Sequence, residues 1–529
     1  MSRTIRFPWV YFWALLALIP IILLRDFNPS NELRYISIAS EALRDGHIFT
    51  FYNHGIPYAD KPPLYFWLTM GAYSLLGNHC MWLLNMFSIL PAFVIAEVMQ
   101  RWSKGVLSED FSTESKVLLL TCGLFCGMMV TLRMDMLMTM FIVLALYQAY
   151  KIQRSPGPLT WKSSLLFGLW IFLGVFSKGP MGILIPLVST TVFMMPGYGA
   201  HCEYRGWKAW FRVWNWRAWL LLLALCGCWF GAVYAEGGTG YLDNLLFHQT
   251  MDRAVDAFHH KRPFWFYARS IWYTMLPWTF LIIGAVILTC IRWKKLGNDI
   301  ERFYVYAGIS TFVLLSFISS KLDIYLIPAY PFFVYLAAIY ASRYRTSKWV
   351  KASITVPAVI LSAALVATWF IQGNESTKWL HCWQLYVAAF VLTIGGIMTI
   401  VAIWKKNNLN MAIRSIGISL CIGVFIAGLV VPDINDRLGY GKVSDQAIAD
   451  AQRLGRDSIY SYRVRRGENI DVYAGSKFRQ LPDTLSESEM AEYLRNGIII
   501  TRSKWLPLST GGKELSEPVG DHYVVYAID

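Results

Sequence analysis

Apolar runs approaching twenty residues recur at roughly 8–25, 81–100, 117–132, 134–151, 163–177, 180–196, 217–235, 270–291, 303–319, 323–341, 352–371, 381–403 and 412–431. Each approaches the length a helix needs to cross a hydrocarbon core of about 30 Å. A further segment, 62–77, begins at Pro62-Pro63, is aromatic, and fits either a span or a helix lying in the interface. Such runs, separated by short polar breaks, predict an all-α polytopic membrane protein with a transmembrane domain over 1–432. After Pro432 the pattern changes. Helix-like stretches at 443–454 and at 486–495, the second behind Asp483, alternate with strand-like stretches at 458–464, 497–501 and 522–528. A small C-terminal α/β soluble domain over 433–529 is expected. No internal repeat stands out.

Charge decides the topology, because cytoplasmic loops carry the excess of Lys and Arg. If 62–77 lies flat, six basic clusters share a side with Arg3 and Arg6: Arg101/Lys104/Lys116, Lys151/Arg154/Lys162, Arg205/Lys208/Arg212, Arg292/Lys294/Lys295, Arg343/Arg345/Lys348/Lys351 and Lys405/Lys406/Arg414. If it spans, all six change sides. About thirteen spans with a cytoplasmic N-terminus follow. On the outer face this places the long loops 26–80 and 236–269, tight turns at 133–135, 177–180 and 321–323, and the tail after Pro432.

Composition agrees. Hydrophobic residues make up 56% and charged residues 16% of the 529, which excludes a soluble multidomain chain. The net charge of +14 sits in the topology-setting loops, so it implies orientation and membrane lipids as neighbours, with no nucleic-acid partner. The first run ends at Arg25-Asp26 without a small-residue cleavage pattern, as a retained helix would. The nine cysteines mostly sit in or beside apolar runs and form neither a disulfide framework nor a zinc spacing.

Candidate chemistry collects on the outer face. The first loop carries Asn31-Glu32-x-Arg34-Tyr35 and Asp60-Lys61-Pro62-Pro63. A carboxylate at the membrane surface can meet a lipid headgroup, and an adjacent lysine can neutralise phosphate as a compact charge. The bland reading makes Glu32 and Arg34 solvated and lets Asp60-Lys61 cap the following helix. Arg133-x-Asp135 lies between two apolar helices, where charge is costly unless paired or facing water, so it is a functional candidate as much as a polar hairpin tip. Lys178 and Lys321/Asp323 are weaker signals of the same kind. In the second loop, His248 and His260 could ligate a divalent cation, while Arg253 and Arg262 could hold phosphate bidentately. A lone histidine is more often a surface or packing residue. Gly174-x4-Gly179 is not followed by Lys-Ser/Thr and no Asp-x-Asp occurs, so no nucleotide cofactor is expected. A donor used on the outer face would be a membrane lipid.

Five motifs in order carry a family resemblance: Asn-Glu-x-Arg-Tyr at 31–35, Tyr-x-Asp-Lys-Pro-Pro-Leu at 58–64, Arg-x-Asp at 133–135, Lys-Gly-Pro at 178–180, and Lys-x-x-x-Tyr-x-x-Pro-x-x-Pro at 321–331. Together they resemble the polytopic glycosyltransferases of the C-type fold, in particular lipid A aminoarabinose transferases and protein O-mannosyltransferases. The resemblance implies transfer of a sugar from a polyprenyl (undecaprenyl) phosphate donor to a lipid A-type glycolipid or a protein hydroxyl. It also implies a monomer in the bacterial inner membrane, with the tail periplasmic. On the family pattern, Lys61, Arg253 and Arg262 grip the carrier phosphate, and Asp60 and His248 are candidate ligands for a divalent metal (zinc, magnesium or manganese). Asp135 is a second essential acid, while Arg34, Tyr35, Arg133, Lys178, His260, Lys321 and Tyr325 are secondary candidates. Where the family usually has Asp-Glu, this chain has Asn31-Glu32, and an amide cannot act as a base. Either Glu32 takes that role, the reading favoured by sequence, or the acceptor is already an anion. A transporter or flippase is the alternative of another class, but such proteins show repeats and charges near the midplane.

Overall fold

The computed structural model describes residues 9–195, 204–246, 261–292, 298–372, 382–505, 512–520 and 523–527. Among these, seven helices are long and apolar enough to cross a membrane, or eight if Lys348–Ser362 and Ala364–Phe370, bent by 45°, make one span. Four further apolar helices, Trp9–Leu24, Leu64–Leu76, Met181–Met194 and Thr279–Ile291, are shorter. Among the described residues, seven or eight helices thus reach spanning length, where the apolar runs suggested about thirteen. Leu64–Leu76, with 13 residues, reaches only about 20 Å at about 1.5 Å per residue.

Breaks in the helices explain much of the difference. The run at 117–132 divides into Ser112–Leu120 and Gly123–Met129, and the run at 270–291 into Phe266–Thr274 and Thr279–Ile291. The two breaks satisfy one another. The Gly123 amide donates to the Leu276 carbonyl at 2.7 Å, and the Trp278 indole N–H donates to the Thr121 hydroxyl at 3.0 Å. Freed backbone groups at membrane depth need such partners, and Pro277, lacking an amide hydrogen, marks one break. Near Pro328 the run at 323–341 opens as a 3-10 helix, Asp323–Ala329, before Tyr330–Arg343. Hydropathy registers none of these interruptions.

The chain forms two compact units, residues 1–19, 59–65 and 85–427 in one and 20–58, 66–84 and 428–529 in the other. Within the first, Trp161–Lys178 and Met181–Met194 cross closely at Gly174 and Gly182, where a Cβ on Gly182 would lie 2.1 Å from the Gly174 carbonyl carbon. The intervening turn, Lys178-Gly179-Pro180, needs Gly179 at φ 98°.

The second unit is wider than the sequence boundary at 432. It holds the helix Glu32–Asp45, the hairpin β1 (Tyr52–Asn53) and β2 (Ile56–Pro57), and a five-stranded sheet. The sheet strands are β3 (Ser458–Ser461), β4 (Phe478–Gln480), β5 (Gly497–Arg502), β6 (Lys513–Glu514) and β7 (Tyr523–Ala527), in spatial order β4-β3-β5-β7-β6. The first three pair in parallel and β7 runs antiparallel to β5 and β6. Helix Glu487–Asn496 packs Met490 and Leu494 into a core with Tyr460, Tyr462, Leu481 and Ile499. Its N-terminus is set by a capping box of Ser486 and Glu489, three residues beyond Asp483. The strand expected over 458–464 stops at Ser461, before Arg463 and Arg466, which have positive φ. Asp26 ties the first loop into this unit: its carboxylate accepts from the Gly441 amide at 2.7 Å and from the Tyr473 hydroxyl at 2.6 Å.

Candidate functional site

In the first unit, three of the five motifs meet around one carboxylate. Asp135 opens the helix Asp135–Arg154, where the free backbone N–H groups favour negative charge. Lys178 closes the helix Trp161–Lys178, the end that favours positive charge. The Asp135 side chain is fully buried; one oxygen is bonded to the Lys178 ammonium and the other accepts from Arg133 Nε at 3.2 Å. The ammonium also lies 4.3 Å from the centre of the Tyr325 ring, on the 3-10 helix Asp323–Ala329, in a cation–π contact. Two cations share this carboxylate, so the trio by itself carries net positive charge. That arrangement can hold an anion and can steady negative charge developing on a leaving phosphate.

Lys321 has a different environment. It is buried, and its ammonium donates to the Ile318 carbonyl at 2.5 Å and to the Arg262 carbonyl at 3.1 Å. The Arg262 amide in turn donates to the Ser319 carbonyl at 3.3 Å. Lys321 thus fastens the segment at Arg262 to the turn after Asp299–Phe317, while the Arg262 side chain stays exposed. Asp60 and Lys61 lie half-buried in the turn before Leu64–Leu76, ahead of the buried Pro62 and Pro63.

In the second unit, Glu32 is 2% exposed and strongly engaged. Arg25 holds both its oxygens in a fork, at 2.7 and 2.8 Å, and the Asn28 amide donates to it at 2.8 Å. These three donors stabilise the ionised carboxylate and make it a weaker base toward an incoming hydroxyl. Arg34 stacks between rings, 5.6 Å from the centroids of both Tyr35 and Tyr58, and reaches the Asn31 side-chain oxygen at 3.4 Å. Sequence reasoning passed over Arg25 as the polar end of a span and did not give Tyr58 a role of its own. Arg25 carried one usable signal, an arginine seven residues before a carboxylate at the mouth of a helix.

His248, Arg253 and His260 lie outside the described residues. Among the described residues, no three His, Cys, Asp or Glu side chains come together as a metal centre requires.

Against known proteins, residues 60–202 match the family described as dolichyl-phosphate-mannose-protein mannosyltransferase. An undecaprenyl phosphate-alpha-4-amino-4-deoxy-L-arabinose arabinosyl transferase of Pseudomonas fluorescens is 22% identical over 84% of this chain and 78% of its own length. One from Enterobacter sp. is 23% identical over 88% and 81%. The fold matches the crystal structure of ArnT from Cupriavidus metallidurans bound to undecaprenyl phosphate with a TM-score of 0.78, covering 98% of this chain and 97% of that chain at 15% identity.

Proposed function

We propose, from the premise that the chain is a polytopic glycosyltransferase of the C type, that it moves a sugar from a polyprenyl-phosphate carrier to an anionic glycolipid of the lipid A type. Transfer takes place at the periplasmic face of the bacterial inner membrane, in a monomer of about thirteen spans whose tail is exported. The reading is supported by the sequence relatives, by the shared fold, and above all by the joining of Arg133, Asp135, Lys178 and Tyr325 from three separate motifs.

In this reading Lys61, Arg253 and Arg262 grip the carrier phosphate. Asp135 fixes Lys178 and Arg133 so that their charge meets the phosphate as it departs, which lowers the barrier as the sugar becomes oxocarbenium-like. Glu32 is a positioning residue: with Arg25 it sets the start of the helix that carries Arg34 and Tyr35. Its engagement by Arg25 and by the Asn28 amide favours the alternative left open by Asn31, an acceptor that is already an anion and needs no strong base. Asp60 and His248 are the residues that would hold a divalent metal, which would supply positive charge for phosphate.

Mass spectrometry of lipid A and of surface glycoproteins from cells with and without the gene tests the acceptor. Loss of one sugar mass from lipid A, restored by re-expression, is the expected result. Loss from glycoproteins alone, or from neither, would overturn the lipid acceptor.

A further inference from the structure

The helix Asp135–Arg154 has 20 residues, so its last turn lies about 30 Å from Asp135, one hydrocarbon thickness away. At that far end is a cavity of about 500 Å³ formed where Met81–Trp102, Asp135–Arg154 and the start of Asp299–Phe317 come together. Four cations line it: Arg101, Lys104, Lys151 and Arg154. Two carboxylates stand nearby, and each already serves two cations. Glu97 takes Arg101 at 3.1 Å and Lys116 at 2.9 Å, and Asp299 takes Arg154 at 2.9 Å and Arg302 at 3.8 Å. Among the described residues, neither Lys104 nor Lys151 pairs with a carboxylate. Other basic loops of the same set differ: Arg343 pairs with Glu301, Arg345 with Asp110 and Arg414 with Glu114.

Three aromatic residues, Trp102, Tyr147 and Tyr150, share the remaining lining, which holds a second, independent sign of a missing acceptor. Trp102 is 3% exposed, lines the cavity, and its indole N–H meets no acceptor among the described residues. A buried donor without a partner is costly, so such groups are rare unless something else completes them. Tyr147 packs against Trp102 with ring centroids 5.3 Å apart and carries Lys151 over its own ring at 4.6 Å, which holds that ammonium beside the cavity.

We infer that this cavity binds a phosphate group, as the headgroup of an anionic phospholipid or as free phosphate. Surplus positive charge attracts the anion, and Trp102, in the same wall, has an indole N–H whose acceptor is missing. Basic pockets between spans at a membrane face are where lipid phosphates are held. The site lies at the opposite end of the helix from Asp135 and is independent of the transfer reaction.

Native mass spectrometry of the full chain, purified in detergent with phosphatidylglycerol or phosphatidylcholine, reads the lipid arm, and calorimetric titration with inorganic phosphate reads the other. Wild-type protein should retain phosphatidylglycerol in preference to phosphatidylcholine. Lys104→Ala with Lys151→Ala, both at exposed positions, should weaken that retention about tenfold, as expected for losing about 1.4 kcal/mol. Lys162→Ala with Lys208→Ala removes equal charge elsewhere and should change nothing. Phosphate binding that is sensitive to the first pair, without a lipid preference, would assign the site to free phosphate. If neither ligand distinguishes the first pair from wild type, or both pairs act alike, the site does not exist.

Discussion

Asp135→Asn should reduce sugar transfer at least a hundredfold and lower the melting temperature of the purified protein. The substitution keeps the shape of the side chain but leaves the Lys178 ammonium and the Arg133 guanidinium without their shared carboxylate, in a site where Asp135 is fully buried. Removing one partner of a buried ion pair costs about 3–5 kcal/mol, because the remaining charge is uncompensated. Loss of a preorganised charge at a reacting centre typically costs a further factor of about 10²–10³ in kcat. The two effects separate if transfer is measured well below the melting temperature, on protein that elutes as wild type in gel filtration. Asp135→Glu, which restores the charge on a longer stem, should recover part of the rate. Transfer by folded Asp135→Asn within about threefold of wild type would remove the residue from the site.

The second large effect concerns Arg25 and Glu32. Arg25→Ala strands a carboxylate that is 2% exposed, so a loss of about 3–5 kcal/mol is expected. Glu32→Gln strands the guanidinium, which is 17% exposed in its side chain and so partly reached by water, and should cost less. Arg25→Met together with Glu32→Gln removes both charges and should recover most of the stability, with a coupling of about 1–3 kcal/mol between the two sites. Because Glu32 is assigned a positioning role, transfer should return with stability in the double variant, to within about threefold of wild type. A folded double variant as inactive as Glu32→Gln alone would make Glu32 the base after all.

Much of this was legible in the chain because the relevant signals are local. Charges at hairpin tips between apolar runs marked Arg133, Asp135, Lys178 and Lys321, since a charge beside lipid needs a reason to be there. The structure then joins Arg133, Asp135, Lys178 and Tyr325, and gives Lys321 a separate task among backbone carbonyls. What escaped depends on contacts distant in sequence. The tie of Asp26 to Gly441 and Tyr473 joins the loop after the first apolar helix to the tail across more than four hundred residues, and no periodicity announces it. The breaks at Thr121 and Leu276 also stayed hidden, because hydropathy averages over a residue whose amide bonds another helix. The surroundings of Glu32 stayed hidden for a simpler reason. A carboxylate in a loop looks available until its partner is seen, and Arg25 is that partner.

The central claim, sugar transfer from a polyprenyl-phosphate donor, is tested most directly in proteoliposomes holding the purified chain, an undecaprenyl-phosphate-linked sugar and a lipid A acceptor. Mass spectrometry should find free undecaprenyl phosphate and sugar-bearing acceptor appearing one for one, only when both substrates are present, and not with Asp135→Asn. Donor that crosses between leaflets intact, or acceptor that gains no sugar while wild-type protein remains folded, would contradict it.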